Sequence, residues 1–152
     1  MNDLVIRSVT TADVAYLVEF NRAMAAESED KGLDTQVLER GVRYLIDHPD
    51  EGFYLIAERA GAAVGTLMVT YEWSDWRNGR FWWIQSVYVV PSERRRGVYR
   101  ALHAHVRERA RRDREACGLR LYVERENVGA MATYRAMGMT ETRYRLYEEE
   151  FR

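Results

Sequence analysis

The stretch Val87-Tyr-Val-Val-Pro-Ser-Glu-Arg-Arg-Arg-Gly-Val-Tyr-Arg-Ala-Leu102 decides the fold. An apolar β-branched run ends at Pro91, a short arginine- and glycine-bearing loop follows, and a helical period begins near Val98. The order is strand, loop, helix N-terminus. A helix N-terminus presents backbone N–H groups without intrahelical partners and a partial positive charge, so it suits a phosphate or pyrophosphate. Gly97 lets the backbone approach such a ligand closely. The stretch therefore predicts a phosphorylated cofactor bound at the end of a β-strand. In that reading the backbone from about Arg95 to Arg100, through Arg96, Gly97, Val98 and Tyr99, holds the phosphates, with the guanidinium groups of Arg94, Arg95 and Arg96 assisting. The plainer reading of the arginine run is a solvated basic turn.

Outward from this stretch, composition narrows the classes. A chain of 152 residues with 47% apolar residues fits one domain, residues 1–152, with a real core. No apolar run is long enough to span a bilayer, and residues 1–8 lack the pattern of a secretory leader. The single Cys117 predicts a reducing, cytoplasmic home. A formal net charge of -1 argues against nucleic acid as a partner. No His/Cys/Asp cluster has metal-ligand spacing, so no metal is expected.

The periodicities predict a first strand over residues 4–9, then a helix offered caps by Thr10, Thr11 and Asp13. Asp34 caps a second helix that Pro49 stops. Strands are expected over residues 53–59, 64–73 and 81–90, with a turn at residues 74–79. A helix over residues 98–114 carries Val98, Ala101, Leu102, His105, Val106 and Ala110 on its apolar face. A short strand over residues 119–123, a helix over residues 127–137 ended by Gly138, and a last strand over residues 139–147 complete the chain. The order is β-α-α-β-β-β-α-β-α-β: an α/β fold with a mixed sheet, since the β-α-β step requires a parallel strand pair.

This order and three local patterns resemble the GNAT superfamily of acetyl-CoA-dependent N-acetyltransferases. Arg94-Arg-Arg-Gly97-Val-Tyr99 resembles the family's acyl-CoA loop, matching at Arg94 and Gly97 and departing at Tyr99, where the family has a small residue. Asn127-x-x-Ala130-x-x-x-Tyr134-x-x-x-Gly138-Met139 is similar to its cofactor helix. Residues 75–89 look like the strand-turn-strand of polyamine-type members. The resemblance covers essentially the whole chain. It implies a GNAT-like fold with a splayed central strand pair, acetyl-CoA as co-substrate, and acetyl transfer to a primary amine by direct attack in a ternary complex. A small-molecule amine is the expected acceptor. A protein or peptide amine is an alternative within the class, and a non-catalytic acyl-CoA-binding module one outside it.

The resemblance also assigns roles. The fourth strand parts from the fifth near Val87 and Val89, whose backbone then pairs with the pantetheine arm and polarises the thioester carbonyl. Tyr134 becomes the proton donor to the departing thiolate, where residue type alone reads a packed helix residue. Asn127 is an N-cap and a cofactor contact, and Ala130 keeps the helix face small. Polyamine-type members carry a glutamate where this chain has Gln85, which can position water or amine but not accept the proton. Glu27, Glu29, Glu72 and Tyr88 remain as candidate bases. Glu27, with Glu29 and Asp30, reads either as a solvated helix end or as a wall attracting a cationic amine. Trp83 belongs to a dense aromatic group with Tyr71, Trp73, Trp76, Phe81 and Trp82. That group reads as core, as a homodimer surface, or as a lining for a cationic substrate.

Overall fold

Among the described residues, alternating apolar positions build the strands β1 (Leu4–Ser8), β2 (Gly52–Arg59), β3 (Ala62–Ser74), β4 (Gly79–Val89) and β5 (Ala116–Arg120). The helices are α1 (Val14–Glu29), α2 (Thr35–Asp47), α3 (Val98–Arg112) and α4 (Val128–Ala136). The computed structural model describes residues 3–29 and 32–152, which divide into one unit within residues 1–121 and a second within residues 122–152.

The sheet of the first unit has the order β1-β2-β3-β4-β5. Its first four strands are antiparallel neighbours, and β5 joins β4 in parallel after the α3 crossover. Strand alternation sends Leu55, Ala57, Leu67 and Val69 to one face, where they pack with Val98, Leu102 and Val106 of α3. Tyr54 and Met68 pack with Val14 and Leu17 of α1 and Val42 and Leu45 of α2. Both faces of the sheet are thus covered, as a parallel crossover beside long β-branched strands requires. α3 lies so close to the sheet that a Cβ on Gly65 would stand 2.9 Å from a Val98 methyl and 3.0 Å from the Tyr88 carbonyl.

The second unit holds α4, capped by the Asn127 side chain, which accepts from the Ala130 amide at 3.1 Å. Gly138 follows the helix with φ 95°, as expected of a C-terminal cap.

Three expectations shift. β5 begins and ends three residues earlier than its apolar pattern suggested, because its partner β4 turns away beyond Trp83. Residues 139–147 form no strand among the described residues, although their pattern alternates; their amides turn to local acceptors instead, Met139 to the Tyr134 carbonyl and Tyr144 to the Thr142 hydroxyl. On α3 the fully buried histidine is His103, not His105, which is only partly covered.

The first turn shows how the entry to α1 is held. Thr10 and Asp13 form a capping box around a short 3-10 turn, Thr11–Asp13. The buried Asp13 carboxylate also takes two hydrogen bonds from the Arg7 guanidinium, both at 2.8 Å, and one from the Thr10 amide at 2.9 Å. Arg7 in turn reaches Glu58 on β2 at 2.6 Å. The guanidinium of Arg7 holds the Asp13 carboxyl below its ordinary range. Since the folded form binds its proton less readily, the stabilisation is present above the unfolded carboxyl's range and is lost as pH falls. Asp13→Asn should therefore cost about 1–3 kcal/mol at neutral pH and less in acid, read from urea unfolding at both pH values.

Candidate acyl-CoA and acceptor site

β4 and β5 pair over residues 80–83 of β4 and then separate, so that, among the described residues, residues 84–89 of β4 continue without a strand partner on that side. The cause lies in β4 itself. Opposite β3, Thr66 pairs with Tyr88 and Met68 with Gln85, so Ser86 and Val87 face the single residue Leu67. Ser86 takes φ 51°. This two-against-one β-bulge bends the strand and sharpens its twist. It falls next to Val87, where the expected splay was placed, and leaves the β4 flank beside Val87 and Val89 without a ladder partner among the described residues, the Val89 carbonyl taking the Arg94 guanidinium instead. Trp83 sits opposite Arg120 at the last rung before the gap.

The chain then enters the loop. Pro91–Glu93 forms a 3-10 turn, Arg95 takes φ 62° and Gly97 φ 82°. An added Cβ on Gly97 would meet nothing within 4 Å, so glycine serves the left-handed turn rather than a tight contact. α3 starts at Val98, and Gly97 gives its first amides, from Val98 to Arg100, no side-chain cap. An uncapped first turn next to left-handed backbone is a fitting cradle for phosphate oxygens.

The arginine run is not a free cationic patch. The Arg94 guanidinium donates to the Val89 carbonyl at 2.9 Å and to Glu27 at 2.7 Å. Arg96 donates to Glu93 at 3.0 Å, and Glu93 also takes Arg59 of β2 at 2.9 Å. Glu93, which sequence reading passed over, thus pins the loop to the sheet; the only signal was one acid beside three arginines. Arg95 and Arg100 are exposed and carry no ion pair among the described residues.

Glu27 gathers two predicted residues. Its carboxylate meets Arg94 and, at 3.3 Å, the Tyr88 hydroxyl of β4. The Glu27–Arg94 pair is nearly half exposed, so it contributes little to stability and its carboxylate remains open to exchange. Burial, and after it the Glu27 charge, raises the Tyr88 phenol, which stays protonated at neutral pH and is a poor base. Glu72 is engaged by Arg120. Gln85 donates its amide N–H to the Thr70 hydroxyl, and its carbonyl oxygen accepts no hydrogen bond among the described residues. The Glu29 side chain and Asp30 lie outside the described residues.

The aromatic group divides. Trp82 and Phe81 are core residues, Trp82 edge-on to Phe53 and Tyr71 with centroids 5.5 Å away in each case. Trp76 and Trp73 are exposed. Arg120 stacks over Phe81 at 3.6 Å and Arg80 over Tyr71 at 4.2 Å, so these rings already carry cations. Among the described residues no group of three acidic, His or Cys side chains could hold a metal, and no helix is long and apolar enough to cross a membrane.

On α4, burial raises the Tyr134 phenol above its ordinary range, which keeps it protonated and able to donate. The Asn127 side-chain oxygen is spent on capping this helix at Ala130.

Residues 17–139 match the model of the acetyltransferase (GNAT) family. The chain belongs to that family. A crystal structure described as a possible acetyltransferase from Clostridium difficile 630 is 41% identical, covers 98% of each chain and superposes with a TM-score of 0.89. A predicted acetyltransferase with acetyl-CoA from Clostridium acetobutylicum shares 18% identity over 96% of each chain, with a TM-score of 0.80. A transcriptional regulator from Bacillus halodurans C-125, 18% identical over 97% of this chain and 99% of its own, scores 0.82. The last two show likeness of fold alone. No curated protein matches.

Tyr99 is where this GNAT chain departs from the family's small residue. Its hydroxyl lies 3.0 Å from Nδ1 of the fully buried His103, one helical turn on, while Arg107 donates to Nε2 at 3.3 Å. Arginine can only donate, so Nε2 is the acceptor and the proton of neutral His103 sits on Nδ1, directed at Tyr99. Burial, and after it the Arg107 charge, pushes His103 down to about 4. Unfolded, the same histidine titrates near its ordinary value of about 6.5. The native state is therefore favoured above that value and loses stability as pH falls toward the folded value. Urea unfolding of wild type should show this loss between neutral and mildly acid pH. His103→Gln should flatten that slope, and an unchanged slope would contradict the buried, neutral histidine.

Proposed function

We propose that this GNAT protein is an N-acetyltransferase that moves the acetyl group of acetyl-CoA to a primary amine of a small molecule. In this reading residues 1–152 act as one domain, and the amine attacks directly in a ternary complex. The observation that carries it is the parting of β4 from β5 after Trp83, immediately upstream of the uncapped α3 N-terminus. An extended thioester arm matches the β4 flank that β5 leaves at residues 84–89, where only the Val89 carbonyl already has a partner in Arg94, and a pyrophosphate matches the amides after Gly97.

Acetyl-CoA supplies the activated acetyl thioester. The chain's own groups bind, orient and move protons. Backbone N–H groups beside Val87 and Val89 stabilise oxyanion character at the carbonyl. Amides from Arg95 to Arg100, assisted by the Arg95 and Arg100 guanidinium groups, hold phosphate. Arg94 and Arg96 act chiefly by bracing the loop, because their guanidinium groups have protein partners. Asn127 and Ala130 form the small-residue start of the helix that carries Tyr134. Tyr134, kept protonated, delivers its Oη proton to the departing thiolate sulfur.

At the acceptor end, the Gln85 carbonyl oxygen can take an N–H of the incoming amine or of a water that carries its proton away. Glu27 attracts a cationic amine and Trp83 lines its approach. The weak, exposed pair with Arg94 leaves the Glu27 carboxylate able to exchange partners. With Gln85 in place of a carboxylate and Tyr88 protonated, the ammonium proton leaves through water to solvent.

An amine-library screen that reads the freed CoA thiol tests this reading directly. Turnover with small amines supports it, and thiol release only with peptide amines moves the acceptor class. Acetyl-CoA should raise the melting temperature with its concentration. Gly97→Val should abolish that rise, because valine resists φ 82°, while the unliganded protein remains folded. Tyr134→Phe should lower kcat by about a hundredfold or more with little change in acetyl-CoA affinity. Full activity in that variant would return Tyr134 to a packing role. Glu27→Gln should raise the acceptor KM and leave acetyl-CoA binding alone.

A further inference from the structure

The Gln85 side-chain amide has two ends of opposite chemistry, N–H donors and a carbonyl acceptor, so its orientation decides what it can hold. Gln85 pairs with Met68, and Thr70 pairs with Trp83, two residues along on the same face of the sheet. Met68 marks that face as the one packed against α1 and α2. There Nε2 of Gln85 donates to the Thr70 hydroxyl oxygen at 2.5 Å in a part-buried contact. The carbonyl oxygen, at the other end of the same planar group, is turned away from Thr70. Gln85 itself stands in the stretch of β4 that β5 has ceased to pair.

A hydroxyl can donate or accept, so Thr70 alone would tolerate either orientation of the amide. Its other neighbours break the tie. Thr70 also lines a cleft of about 410 Å³ together with Leu45, Tyr71 and two acids, Asp50 and Glu51. An ionised carboxylate only accepts, so the hydroxyl hydrogen of Thr70 is drawn to that side, directly or through a water. The Thr70 oxygen is then left to accept from Gln85, and the Gln85 carbonyl faces the open stretch.

We propose that Thr70 is a positioning residue that locks the Gln85 amide with its carbonyl forward, and that this acceptor-only, non-basic group selects amines over alcohols, an inference that rests on the acetyl transfer proposed above. When a neutral primary amine attacks the thioester carbonyl, the N–C bond forms and positive charge gathers on nitrogen. An N–H held by Gln85 is therefore a stronger donor in the transition state than before it. The C–S bond breaks, and the thiolate takes the Tyr134 proton. The nitrogen gives one proton to water, which restores Tyr134 through solvent, and keeps the other on Gln85. An alcohol has a single hydrogen. Held by Gln85, that hydrogen is not removed, because an amide oxygen is no base. Passed to water, it leaves the Gln85 oxygen without a donor.

Thiol release is measured with the best amine of the screen and with its alcohol counterpart. Thr70→Val should lower kcat for the amine by about fivefold or more, with amine KM and acetyl-CoA affinity little changed, and Thr70→Ser should restore it. Gln85→Glu, which supplies a base, should raise alcohol turnover by about tenfold or more. A second reading needs no turnover. Gln36, which is exposed, is the only other glutamine of the chain, so isotopically labelled glutamine reports both side-chain amides by NMR. The Gln85 amide should exchange with water more slowly than that of Gln36, lose this protection in Thr70→Val and keep it in Thr70→Ser. Far-UV circular dichroism checks the fold, and Thr70→Ala repeats both readings where valine disturbs it. A Gln85 amide that exchanges like Gln36, or a Thr70→Val protein with wild-type kcat, overturns the lock and leaves acetyl transfer standing. Alcohol turnover that does not rise in Gln85→Glu overturns the selectivity. No thiol release with any amine is the failure of acetyl transfer itself, and the selectivity falls with it.

Discussion

The separation of β4 from β5 is the constraint on which the rest of the site depends. A sheet satisfies its backbone by pairing, and an unpaired flank in the middle of a sheet is unusual. Here it is produced by one extra residue on β4: Ser86 in the left-handed region and Val87 beside it face the single residue Leu67. The bulge bends β4 after the rung Trp83–Arg120. On its other flank β4 keeps pairing with β3 through Val89, so the strand stays anchored while one edge opens. The gap is built into the sheet and requires no domain movement.

The loop that follows would be a poor anion site if it were free to move. Its arginines supply the bracing. Glu93 joins Arg59 to Arg96, and Arg94 spans from the Val89 carbonyl to Glu27 at the end of α1. Charges that look redundant in a local reading are structural once their partners are known. The result is a loop held in a left-handed conformation at Arg95 and Gly97, with the first amides of α3 left without a side-chain cap. Backbone donors held this way require little reorganisation when an anion arrives.

The same logic extends into α3. Gly65 lets the helix sit against the sheet, and Val98, Leu102 and Val106 fill the contact. On the neighbouring row, Tyr99, His103 and Arg107 form a polar chain spaced one turn apart. A buried histidine is tolerable because it is neutral and satisfied at both nitrogens. The first turn of α3 is in this way tied to its own middle.

Much of this was legible in the sequence. The β-branched run ending at Pro91, the caps at Thr10, Asp34 and Asn127, and the 98-102-106-110 spacing reflect local rules, in which a residue's conformational preference or its i,i+4 neighbour decides the outcome. The glycine-bearing loop before a helix likewise marked the candidate phosphate site. Sequence could not decide where β5 stops, because that depends on a bulge in another strand. Nor could it decide which arginines are committed, because Arg94 meets Glu27 and Arg59 meets Glu93 across long stretches of chain. Residues 139–147 have strand periodicity and no strand, since periodicity states only which side chains agree on a face. Local sequence determined which segments could be helix, strand or turn. Only the tertiary structure decided which backbone edges pair and which charges find partners, because both are properties of two distant segments at once.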